Sequence, residues 1–245
     1  MPSLFTHLNF IDEEISNNPN VRKLDSSFLK FGSIIPDIDY FVHKKKIKIF
    51  HFMHYNYDLG ITFAKDLLRE AKTREEVSFA IGFLSHVILD KEVHSYLETT
   101  VDTSEHLHLE YIIDSRYAYE IFPRASFPKD LFKRTITKKY NNYLEDINHI
   151  NYMHIQEYRL AFLFYKSMII SNFIKARAKW YHNLLSIVPE NKKFQKIKLK
   201  TRLKARIDKD KVKIVEEKIA KAKEIFEKEV VTHFKRKDAY DIFLE

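Results

Sequence analysis

An all-α protein built as a multi-helix bundle is the fold this sequence predicts, on three observations. Only 3 glycines and 6 prolines interrupt 245 residues, so the chain holds few breakers. Leu, Ile, Phe, Lys and Glu dominate, and 45% hydrophobic content is enough for a substantial core. Apolar and chemically active residues recur at three- and four-residue steps, which is the period of a helix face.

The elements follow in order. Residues 3–16 read as a first helix after Pro2, broken by Asn17-Asn18-Pro19-Asn20. A short helix is expected from Ser26 to Phe31, closed by Gly32. Ile34-Ile35-Pro36-Asp37-Ile38-Asp39 reads as an irregular loop, because the residue before a proline is pushed out of helical geometry. Residues 56–70 and 74–98 carry long helical patterns, and 105–121 another. Pro123 and Pro128 mark a turn region, followed by helices at about 129–148 and 151–187, ending before Pro189. From Ile197 to Ile207 apolar and basic residues alternate, which fits a strand as well as a helix. Residues 209–235 have strong helix propensity. The organisation expected is a helical domain over residues 1–188 and a basic, mostly helical extension over 189–245.

The stretch Gly82-Phe83-Leu84-Ser85-His86-Val87-Ile88-Leu89-Asp90-Lys91-Glu92-Val93-His94 is the most informative in the chain. On a helix, His86, Asp90 and His94 form one stripe. Apolar residues occupy nearly every other face, so His86 and Asp90 are expected inside the protein. A buried carboxylate needs a positive partner, and a metal ion is the strongest candidate. A second stripe, His106, Glu110 and Asp114, follows twelve residues later. Inward His and carboxylate side chains on adjacent helices are how bundles hold metals. The chain has no cysteine, so disulfides and thiolate ligands are excluded. Nitrogen and oxygen ligands suit zinc best, with iron or manganese possible. Other candidates cluster in the first half: His7, Asp37, Asp39, His43, His51 and His54.

The net charge of +8 is uneven. Residues 190–238 hold 18 Lys and Arg against 9 Asp and Glu, while the rest of the chain holds 24 against 25. That basic segment is able to meet nucleic acid or an anionic membrane surface, or to be a solvated helical face. No secretory signal is legible at the start, and no apolar run approaches the ~20 residues that span a bilayer. The longest, around Leu160 to Ile170, is interrupted by Lys166. The expected location is the cytoplasm, with peripheral membrane contact through the basic segment.

Thr6-His7, Phe31 to Asp39, His51 and His54, Gly82 to His94, and His106-x3-Glu110 together resemble the zinc-dependent phospholipase C family over about residues 1–120. The resemblance implies an all-helical fold and hydrolysis of phosphodiesters, phospholipids above all, by up to three zinc ions. It implies that His86 binds one zinc with His51 or His54 and Asp37. Asp90 would bridge to a second zinc held also by His7, and His94, His106 and Glu110 would form the remaining site. Asp37 would be the general base or orient the attacking water, with Asp39 as its backup. By position alone Asp114, one turn beyond Glu110, reads as a group supporting Glu110 or as a helix-surface carboxylate. Secreted relatives place an N-terminal tryptophan on zinc, where this chain has Met1 and Pro2. The Asp90-to-His94 spacing is shorter than theirs, and His108 is an alternative to His106. Related zinc nucleases that cut single-stranded nucleic acid share the ligand order, so a nuclease is the alternative function. A non-catalytic metal-binding scaffold is another. A helical phosphohydrolase of the adjacent His-Asp type lacks its doublet here.

Overall fold

The computed structural model describes residues 4–39, 56–102, 105, 106, 109, 110, 113 and 209–235. All secondary structure among them is helical: α1 (Leu4–Asn17), α2 (Pro19–Arg22), α3 (Ser26–Asp39), α4 (Tyr57–Glu70), α5 (Arg74–Thr100) and α6 (Lys209–Lys235). The helices expected at 129–148 and 151–187, the ambiguous 197–207 segment and the expected domain boundary near residue 188 lie outside the described residues.

Helix α5 is the hub, packed against α1, α3, α4 and α6. Its start is fixed by a capping box: the Thr73 hydroxyl accepts from the Glu76 amide, and the Glu76 carboxylate accepts from the Thr73 amide. From Val77 to Asp90 every residue is buried, as expected of a helix that is apolar nearly all round. Each fully buried Phe or Ile there contributes about 1.5–3 kcal/mol.

Helix α3 corrects the sequence reading. The segment from Ile34 to Asp39 is not a loop, and Gly32 does not end a helix; one helix runs unbroken through both, with Pro36 inside it. Asp25 caps its start, its carboxylate accepting from the amides of Ser27 and Phe28. An interior proline forfeits one helical hydrogen bond, costing about 3 kcal/mol. Burial of Phe31, Ile34 and Ile35 offsets that cost. Gly32 has a packing role instead. A Cβ there would lie 2.2 Å from the Phe79 carbonyl oxygen, and one on Gly82 would lie 2.1 Å from the Leu29 carbonyl oxygen. Two of the chain's three glycines therefore form the α3–α5 crossing, where backbone meets backbone.

Helix α6 lays Val212, Val215, Ile219, Ala222, Phe226, Val230 and Phe234 into the core. The Phe226 ring meets Phe10 of α1 edge to face, centroids 5.6 Å apart. Its lysines reach acids on other elements: Lys221 to Glu92, Lys223 to Glu13 and Lys211 to Glu105, while Lys65 of α4 reaches Glu229. Between Lys209 and Lys235 there are eight lysines against six acidic residues, so most of the C-terminal charge surplus resides in residues 190–208, outside the described residues.

Glu14 of α1 is a buried carboxylate whose pKa is pushed up to about 7, first by burial and then by the Glu227 carboxylate. Raised above its ordinary 4.5, the folded pKa means that folded protein holds the proton where unfolded chain has lost it. The associated stability is complete below about 4.5 and lost as pH rises through about 7. Glu14→Gln, which stays neutral, is expected to resist urea better than the parent at about pH 8, with the difference shrinking toward pH 5. Parallel urea midpoints at the two pH values would contradict this.

Candidate metal centre

The close α3–α5 crossing sets the geometry of the site. It brings the Ser33 carbonyl within 2.8 Å of His86 Nδ1. A carbonyl only accepts, so Nδ1 carries the proton and Nε2 is the atom presented to the interior. Nε2 faces Asp90 Oδ2 at 3.1 Å, one helical turn along α5. His7, projecting from the first turns of α1, stacks flat on the His86 ring with centroids 3.8 Å apart. His7 Nε2 is 3.4 Å from Asp90 Oδ1 and 3.8 Å from Asp37 Oδ2 of α3. His7, His86, Asp37 and Asp90 are all at most 1% exposed.

The second group forms where the chain turns after α5. Asp102 caps the following helical residues, its carboxylate accepting from the Glu105 amide and its carbonyl from the His106 amide. That turn folds His106 and Glu110 back over the last turns of α5. Glu110 Oε1 is 2.9 Å from His106 Nε2 and 3.4 Å from His94 Nε2. The His94 and His106 rings are 4.9 Å apart. His94 Nε2 also stands 3.8 Å from Asp90 Oδ1, so Asp90 lies between the two groups.

Within each trio — His7, His86, Asp90 and His94, His106, Glu110 — a ligand atom from every residue lies within 4.8 Å of the others. The chemistry of these donors fits a divalent cation. Neither Asp37 oxygen, nor His7 Nε2, has a hydrogen-bond partner among the described residues. Buried acceptors left without a donor cost about 1–3 kcal/mol each, more when charged. Burial holds the imidazoles of His7 and His94 in their neutral, ligating form, His94 down to about 3. Burial also opposes the charging of His86, but Asp90, with Asp37 and the Ser33 carbonyl, holds His86 above its ordinary value. A positive charge beside Asp90 is therefore favoured.

The model of the zinc-dependent phospholipase C family matches residues 5–150. The chain belongs to that family. No curated protein and no solved structure matches it. The family match covers α1 to α5 and the His106–Glu110 segment, and it ends before α6.

Of the site residues expected from sequence, the structure brings together His7, Asp37, His86, Asp90, His94, His106 and Glu110. Asp37 reaches the site from a helix, not from a loop. Asp39 ends α3, and its side chain is outside the described residues, as are His43, His51, His54, His108 and Asp114. Sequence reasoning did not find the Ser33 carbonyl, because a backbone acceptor has no residue signature. The scarcity of glycine was the available signal, since Gly32 and Gly82 create the approach that delivers it.

Proposed function

We propose that this zinc-dependent phospholipase C family member hydrolyses the phosphodiester bond of phospholipid head groups, using up to three zinc ions. The observation that supports it most is the pair of buried His and carboxylate trios joined through Asp90. Bound zinc would lower the pKa of a coordinated water toward 7 and neutralise charge on the phosphate oxygens. His7, His86 and Asp90 would hold one ion, and His94, His106 and Glu110 another. His86 keeps its orientation through the Ser33 carbonyl, the type of support that ligating imidazoles need. Asp37, 3.8 Å from His7 Nε2, is the carboxylate assigned to take the proton of the attacking water. Asp37 is itself shielded from bulk water, at 1% exposure.

Metal analysis of protein purified without chelator tests the reading first, followed by assay on phosphatidylcholine vesicles and single-stranded DNA. The expected result is two to three zinc per chain and release of phosphocholine. Cleavage of DNA alone would make the chain a nuclease, and zinc without either activity a scaffold. Asp37→Asn is expected to slow turnover by about 100- to 10,000-fold, the scale of a lost general base, while zinc content falls much less. Turnover and zinc falling in parallel would make Asp37 a ligand only.

No described helix is long and apolar enough to cross a membrane, so access to lipid is assigned to peripheral contact. Residues 190–208 hold most of the basic surplus available for it.

A further inference from the structure

The second metal trio rests on α6, which lies outside the range of the family match. Val215 and Ile219 of α6 line one small cavity together with Thr6, Val93, Leu97, Glu110 and Ile113. Glu110 thus has α6 beside it, across from the α5 turn that carries His94. One turn earlier along α6, Lys211 Nζ bonds Glu105 Oε1, and Glu105 immediately precedes His106. Further along, Lys221 reaches Glu92, which sits on α5 between Asp90 and His94. Lys223 reaches Glu13 on α1, the helix that carries His7. Every described element that supplies a candidate ligand, apart from α3, is held by an ion pair from α6.

We infer that α6 is a clasp for the His94, His106 and Glu110 site, with Lys211 as a positioning residue acting through Glu105. Its physical basis is local order. Glu110 and Ile113 stand between Val93 and Leu97 of α5 and Val215 and Ile219 of α6. Helices in proteins take most of their stability from tertiary packing. Val215 and Ile219 supply that packing, and the Lys211–Glu105 pair sets the register of the first turn. Ligand trios need their members held to within a fraction of an ångström. Fixing His106 and Glu110 before metal arrives removes the ordering cost from the binding step. By linkage, metal on this trio must strengthen the docking of α6 by the same factor.

The inference rests on the metal reading above, and its test separates the two. Lys211 and Glu105 are both partly exposed, so substituting either leaves the core intact. In the full-length protein, Lys211→Glu places two carboxylates together. Zinc affinity is then expected to fall about five- to tenfold for one class of bound ion, the size of a partly buried pair lost and replaced by repulsion. The other class should be unchanged. Hydrogen exchange at the amides of His106, Glu110 and Ile113 should accelerate, while that of α3 does not. Combining Lys211→Glu with Glu105→Lys restores the opposite charges and should recover both readouts. Unchanged exchange and unchanged zinc affinity in Lys211→Glu would overturn the clasp, as would failure of the charge swap to recover them. Absence of zinc binding in the parent protein would defeat the metal reading alone, and the exchange measurement would still decide the clasp.

Discussion

Asp90→Asn is expected to abolish high-affinity zinc binding while leaving the metal-free fold as stable as before, or more so. Asp90 is fully buried and stands 3.4 Å from His7, 3.1 Å from His86 and 3.8 Å from His94. An asparagine has the same shape but carries no charge. It offers an NH2 group that can donate to an imidazole nitrogen, so it satisfies neutral His7 where a carboxylate repels the ring's lone pair. Replacing a buried charge by a neutral isostere removes its desolvation cost. In the metal-free protein the substitution is therefore neutral or favourable. In the zinc-loaded protein the sign reverses, because in the proposed centre Asp90 is an anionic donor of the first trio and stands 3.8 Å from His94 of the second. Residues that merely support ligands through hydrogen bonds already cost about 10–100-fold in metal affinity, so a lost ligand should cost more. A ligand present at 100 times its Kd stabilises the fold by about 2.7 kcal/mol. Thermal unfolding with zinc and with chelator should thus differ for the parent and coincide for Asp90→Asn. An Asn variant that keeps its zinc-dependent rise in Tm would remove Asp90 from the centre.

The contrast between the two stripes and α3 shows what a sequence makes legible. His86, Asp90 and His94 are readable because helical periodicity alone places them on one face, and the apolar residues around them require burial. His106 and Glu110 follow from the same four-residue step. The helix end at Gly32 and the loop through Pro36 misread for a common reason. Glycine and proline act as breakers in an isolated peptide, where local propensity decides. Here tertiary packing decides. The Cβ-free Gly32 lets α3 touch α5, and the burial that results holds the chain helical through Pro36. Likewise, α6 was readable as a helix from its propensity, but its packing partner was not. Nothing in residues 209–235 by themselves states that they pack beside Glu110.

Gly82→Ala is the complementary test, since two principles predict opposite signs for it. On helix propensity alone, alanine stabilises a helix interior by about 1 kcal/mol over glycine. The packing says otherwise. A Cβ at residue 82 would stand 2.1 Å from the Leu29 carbonyl oxygen, 2.9 Å from its carbon and 3.0 Å from the Ser33 nitrogen. All three are backbone atoms of α3, and none can swing aside as a flexible side chain would. The helices must separate, opening gaps along a crossing lined by Phe31, Phe79 and Phe83. Overpacking a core costs about 1–3 kcal/mol when side chains can adjust. With backbone as the obstacle, the cost lies at the upper end and exceeds the propensity gain. A net loss of about 2 kcal/mol is expected in urea unfolding. Separation also draws the Ser33 carbonyl away from His86 Nδ1, so the ring loses its anchor and zinc affinity should fall along with stability. A Gly82→Ala protein that gained about 1 kcal/mol, as propensity alone predicts, would mean that α3 and α5 have slack between them. The orientation of His86 would then need a cause other than this crossing.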